Sequence, residues 1–469
     1  DVLDNKTLTY SGAPLSLGAN TLTMSGGGTF YNSYNLTLSA ESILKLDGIG
    51  RVEKVYVSEN LTNGFIDVNK NTTIQTFSQT KSSRIDIADG KSLTLTDTFE
   101  VPADQTMEFY GSGGGTINIG DNLTLSGILQ FSAPNYSLKN GILVLNDGSL
   151  LDVDYHTIID SDIVLLGNTT VDVAQGVSLE YRGDTIDLLN YQLTFLGSGT
   201  FLNTNAILLS NSGSLLILAG DITIVLIEVT GNSAAGKGIR VESGGAKVVN
   251  LNFSATDPDL ANMGLTFSDD TYSLEVENLN VNSTAQITGD GNGGWLNVNL
   301  LCAGARDGDV GNFPPGGSCI ENNNVLTLQD INVKVEEAIN IDFDGQIVMI
   351  GNTYFDAVGG LSFNLTGAMN FSGSVTANIN LNGGKMCIAD NTTIIGNIRH
   401  FADSLIFIAP EKVLTYQGTN PLNVNGLTLA IQGGGRFSSW DNNSLTLNED
   451  GGTLRLADNA TTLSHLAFG

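Results

Sequence analysis

Two stretches of the chain, one starting at Leu8 and the other at Leu179, carry the same motifs in the same order and at the same spacings, without a gap. The first reads Leu8-Thr-Tyr-Ser-Gly12, Leu22-Thr-Met24, Gly26-Gly-Gly-Thr-Phe30, Leu36-Thr-Leu38 and Leu44-Lys-Leu46. The second reads Leu179-Glu-Tyr-Arg-Gly183, Leu193-Thr-Phe195, Gly197-Ser-Gly-Thr-Phe201, Ile207-Leu-Leu209 and Leu215-Leu-Ile217. A third copy needs only small insertions: Leu414-Thr-Tyr-Gln-Gly418, Gly433-Gly-Gly-Arg-Phe437, Leu445-Thr-Leu447 and Leu454-Arg-Leu456. A partial fourth is read at Phe109-Tyr-Gly111, Gly113-Gly-Gly-Thr-Ile117 and Leu123-Thr-Leu125. Chance alternation does not hold Tyr-x-Gly and Gly-x-Gly-x-Phe in step over such a distance. The chain is therefore a repeat protein.

Within each copy the unit is a short alternating run, ended by Gly, Asn or Asp. Period two places Leu on one face of a strand and Thr on the other. Such short runs cannot bury a face alone, so they must stack on their neighbours. The predicted fold is all-β: a parallel β-helix, or β-solenoid, of roughly 20 residues per coil. Leu, Ile, Val and Phe point inward, Thr, Ser and Asn form outer ladders, and Gly marks corners. Residues 1–229 and 384–469 carry the repeat signature. Residues 230–383 keep the alternation but diverge, with inserted loops around Gly289–Gly294 and between Cys302 and Cys319.

Charge narrows the partners. The net charge is −29 with no basic run, which argues against nucleic acid. No stretch reaches the roughly 18 apolar residues needed to span a bilayer as a helix. The sequence begins at Asp1, which fits a secreted chain whose signal peptide has been removed. In an oxidising compartment Cys302 and Cys319 could close their loop as a disulfide or remain two thiols. Cys387, between Met386 and Ile388, is expected to be a small buried hydrophobe.

The two ends bear on assembly. The chain opens on a strand motif and stops at Phe468-Gly469, and neither terminal stretch reads as a polar cap or helix. The stretch Gly452–Thr461 resembles Gly384–Thr393, which sets Leu454 level with Met386. After the earlier stretch the chain runs on from Thr393 to Leu414. The path from Thr461 through the C-terminus to Leu8 of a following copy would be only slightly shorter. A junction of C-terminus and N-terminus thus nearly rebuilds an internal repeat. Leu8, Tyr10, Leu454, Leu456, Leu466 and Phe468 are the candidate junction residues. A heterologous contact of this kind does not close and yields a fibre. A fragment of a longer repetitive protein would show the same resemblance.

Candidate chemistry is sparse. Asp152-Val-Asp-Tyr-His156 would put two carboxylates and an imidazole on one outer face. Acid–base work or Ca²⁺ binding is one reading of that face, and plain solvation is the other. Asp290-Gly-Asn-Gly-Gly294, Asp307-Gly-Asp309 and Asp342-Phe-Asp-Gly345 look like pieces of calcium loops, and none completes one. The Gly-rich corners lack the following helix that a phosphate cradle needs. No catalytic, cofactor or metal site is assigned, and no cofactor is expected.

The texture of N-x-L-T-L, G-G-G-T-F and L-x-L-D-G resembles bacterial β-solenoid surface proteins, such as haemagglutinin-like adhesins and autotransporter passengers. The resemblance covers about two thirds of the chain and carries no site residue with it. It implies an extracellular, adhesive or scaffolding role. The expected function is a non-enzymatic structural subunit of a head-to-tail filament, its partner a second copy of itself. The alternatives are a monomeric adhesin that binds a glycan or cell surface, and a carbohydrate-active enzyme on a β-helix.

Overall fold

The structure is a computed structural model. It describes residues 1–254 apart from 112 and 235, and 261–468 apart from 282–284, 290–293, 304–324, 330, 336–339, 344–345, 351–353, 358–361, 366–367, 377, 384, 425, 440–444, 448–451, 457–460 and 465. Among these residues every regular element is a strand, and the strand pairs are parallel. The chain is a parallel β-solenoid. It divides into two units, residues 1–208 with 214–226, and residues 209–213 with 227–469.

In the first unit most turns have three short strands on three faces, while Arg51–Val57 and Thr72–Gln79 each run over two of those faces. The first turn runs Thr7–Tyr10, Leu15–Ser16 and Thr21–Ser25. The next runs Thr29–Asn32, Leu36–Leu38 and Ile43–Asp47. Leu8 pairs with Phe30, Leu15 with Leu36 and Leu22 with Leu44. Turn length is not constant: Ile66 meets Ile85, and Ile85 meets Phe109 after a distinctly longer step. That longer step exceeds the roughly 20 residues expected of a coil.

Alternation sets the core. Leu44, Leu46, Val52, Ile66, Val68, Ile85 and Ile87 are fully buried, and the residues between them face outward. Parallel stacking puts like side chains over like. Phe109 stacks on Phe131 at 5.5 Å, and Phe201 lies 5.0 Å from Phe195 and 6.1 Å from Tyr181. Such ring pairs add to area burial. The corner glycines permit close approach: Gly197 has φ +77°, and a Cβ there would collide with the Val173 carbonyl of the turn before.

The sequence repeat is a structural repeat. Thr7–Tyr10 pairs with Thr29–Asn32 as Ser178–Tyr181 pairs with Thr200–Asn203, residue for residue in the two copies. Val413–Tyr416 pairs with Arg436–Ser439 in the same way. The partial fourth copy is narrower than expected. Tyr110 ends a strand that pairs with Ser83–Ile87 and Ile128–Phe131, not with the strand that follows its glycine corner. The Gly113–Gly115 corner, the strand Thr116–Ile119 after it and the strand Asn122–Leu125 repeat there.

In the second unit parallel pairing continues through Ala246–Phe253, Ser273–Val281 and Trp295–Ala303. Leu274 pairs with Leu296, an ordinary step for this solenoid, but Leu296 pairs with Val333, a much longer one. The extra length falls at 304–324, outside the described residues, as does Cys319; the Cys302–Cys319 pairing is therefore not described. Near the C-terminus Met386 pairs with Ile406, Ile406 with Ile431, and Ile431 with Leu456. Met386 therefore corresponds to Leu456 rather than to Leu454, the position that motif likeness had set level with it. A slip of two leaves a period-two pattern unchanged, so sequence cannot detect it. Cys387 also departs from expectation. Its neighbours Met386 and Ile388 are buried, so alternation turns Cys387 to the other face, where it is half-buried with a free thiol.

Candidate functional site

The N-terminal edge is one candidate. Among the described residues Thr7–Tyr10, Leu15–Ser16 and Thr21–Ser25 each pair on one side only. Their core-facing side chains are mostly less covered than those one rung further in, although Met24 is buried at 7%. Leu8 is 52% exposed, whereas its rung partner Phe30 is 7% exposed and Val52, one rung further, is buried. Leu15 and Leu22 are half-buried, and their partners Leu36 and Leu44 are fully buried. Asp1–Asp4 cover only the corner: the Val2 N–H donates to the Ser25 carbonyl and the Gly28 N–H to the Val2 carbonyl. No helix covers this edge among the described residues.

At the other end of the sequence Thr453–Leu456 pairs with Thr428–Gln432, Thr462–Leu463 with Arg436–Ser439, and Leu466–Phe468 with Leu445–Leu447. Leu454 is half-buried and Leu456 is 47% exposed. Leu466 and Phe468 hold register positions opposite Leu445 and Leu447.

Tyr10 belongs to a recurring corner. In Tyr181 the ring folds back so that its hydroxyl donates to the Asp184 carbonyl at 2.6 Å. The same hydroxyl accepts the Ile163 N–H at 3.2 Å, from one turn earlier. Tyr416 repeats this, donating to the Asn420 carbonyl and accepting from the Ile398 N–H. Burial pushes both phenols up, Tyr181 to about 12. The Tyr-x-Gly motif follows from this fold-back: a Cβ on Gly12, Gly183 or Gly418 would strike the tyrosine two residues before it. The Tyr10 ring lies over Gly12 in the same way, but its hydroxyl makes no hydrogen bond among the described residues.

The second candidate is the acidic face around Asp152. Asp152 sits between Gln130 and Asp172 on adjacent rungs. Gln130 Nε2 donates to Asp154 Oδ2 at 3.2 Å. Burial, then Asp154 and Asp172, push the Asp152 carboxyl up to about 6, and burial with Asp154 raises Asp172 as well. His156 does not join them as alternation suggested. The strand ends at Val153, and past that corner the His156 Nδ1 bonds the Ser178 hydroxyl at 2.8 Å. Asp172 was the member that sequence missed, since it lies a full turn along the chain from Asp152 and meets it only by stacking. The cluster can hold a proton near pH 6.

Among the described residues no group of three or more His, Cys, Asp or Glu side chains could hold a metal ion. The calcium-loop fragments at 290–293, 307, 309 and 344–345 lie outside the described residues. Among the described residues no helix is long and apolar enough to cross a membrane.

No family model, curated protein or solved structure gives a match to the chain. The resemblance to bacterial adhesins and passengers therefore has no support beyond the solenoid fold itself.

Proposed function

We propose that the chain is an extracellular structural protein, the subunit of a filament that grows by parallel strand addition at the Thr7–Tyr10, Leu15–Ser16 and Thr21–Ser25 edge. The observation that carries this reading is the exposure of Leu8 at 52%, in a column whose deeper members are buried. An exposed parallel edge with apolar residues at its core positions is a template for another strand. Backbone pairing would supply affinity, and Leu8, Leu15 and Leu22 would continue the core. The acidic surface keeps lateral faces apart, which favours thin filaments over bundles. A reading as a monomeric adhesin draws on a different observation: Val164, Leu166 and Leu189 are exposed apolar positions of the first unit, at 40%, 55% and 39%.

Negative-stain microscopy and sedimentation of the purified chain separate these readings. Filaments without added partner, suppressed by Leu8→Lys with Leu22→Lys, are expected. A chain that stays monomeric at high micromolar concentration would refute the filament.

A further inference from the structure

We infer that the strand which completes this edge is Leu466–Phe468 of a second copy, seated beneath Leu15–Ser16, with its first N–H directed to the Tyr10 hydroxyl. The inference rests on the filament reading and specifies its register.

The interior corners define what the edge lacks. The N–H that reaches Tyr181 belongs to Ile163, in the strand Asp162–Leu165, which packs against Ile186–Asp187, the strand that follows Tyr181. The N–H that reaches Tyr416 belongs to Ile398, in the strand Ile398–Ala402, which packs against Leu422–Asn423, the strand that follows Tyr416. The strand that follows Tyr10 is Leu15–Ser16. Its outer neighbour should therefore carry the missing donor.

Leu466–Phe468 has the matching position. Leu422 pairs with Leu445 and Leu445 with Leu466, so Leu466 stands in the same column as the strand after Tyr416. It is the last described rung of that column. A following copy that places Leu15 opposite Leu466 and Ser16 opposite Ala467 continues the column. In that register the Leu466 N–H takes the place of Ile163 and Ile398. Thr7–Tyr10 then lies over Thr462–Leu463, the last described rung of the Tyr416 face.

A disulfide trap reads the register. Ser16→Cys and Ala467→Cys, placed in one chain, would meet across neighbouring copies at about 4.8 Å between Cα atoms, within disulfide range. On mild oxidation this chain should form a ladder of covalent oligomers on a non-reducing gel. The slipped pair Ser16→Cys with Phe468→Cys should not, and neither should the parent chain with Cys302, Cys319 and Cys387. Tyr10→Phe keeps the ring over Gly12 and removes only the acceptor; it should weaken association about threefold to tenfold. If filaments form but the slipped pair ladders equally, or Tyr10→Phe associates like the parent, the register is wrong while the filament stands. If no copy associates with another, both fall.

Discussion

The Tyr181 hydroxyl lies 2.7 Å from the point where a Cβ on Gly183 would stand. The pair explains why the motif is Tyr-x-Gly and predicts its sensitivity. Gly183→Ala should destabilise by about 1–3 kcal/mol through overpacking, since the ring is held by two backbone hydrogen bonds and cannot move aside. Gly418→Ala should behave alike beside Tyr416. Urea unfolding followed by circular dichroism would measure both, and a neutral Gly183→Ala would contradict the fold-back.

Asn203 is buried at 2% and holds a widened step in the ladder. Its Nδ2 donates to the Asn205 and Leu226 carbonyls at 2.9 and 2.6 Å, and its Oδ1 accepts the Val225 and Leu226 N–H groups at 3.2 Å each. Asn32 does the same with Tyr34 and Lys54. Asn203→Ala leaves buried backbone groups without partners and should cost about 2–4 kcal/mol. Amide hydrogen exchange should show the loss first at Val225 and Leu226.

Leu8 and Leu179 occupy equivalent positions with opposite burial. Leu179 is fully buried and its truncation to Ala should cost about 2–5 kcal/mol. Leu8 is half in solvent, so Leu8→Ala in the monomer should cost about 1 kcal/mol or less. Parallel thermal melts under dilute, non-associating conditions would compare them. Equal costs would mean that the N-terminal edge is covered.

The Asp152 cluster makes stability depend on pH. Native Asp152 keeps its proton to about pH 6, whereas in the unfolded chain it would lose it near the usual carboxylate value of about 4. Between those values the native state binds more protons, so stability falls as pH rises from about 4 to about 6 and stays lower above that. Carboxylates elsewhere with lowered values, such as Glu180, pull the other way at lower pH. Asp152→Asn should therefore stabilise the chain at pH 7, by about 1 kcal/mol after solvent screening, and leave it little changed at pH 4.5. Melting curves of both proteins at pH 4.5, 6 and 7.5 would show the difference; a constant gap across pH would point to packing instead of charge.

Sequence alone determined the strand class, the inward set of Leu, Ile and Val, the glycine corners and the correspondence of the Leu8 and Leu179 copies, because each is written in local periodicity or in motif identity. It also marked Tyr10, Leu8 and the C-terminal strand residues, by likeness to interior copies. Stacking decided the rest. The three-faced turn, the alignment of Met386 with Leu456, the outward turn of Cys387, the meeting of Asp152 with Asp172 and the separation of His156 all depend on which rung lies over which. A period-two pattern is unchanged by a slip of two, and corner lengths vary without altering it, so register is a property of the packed backbone and its corners.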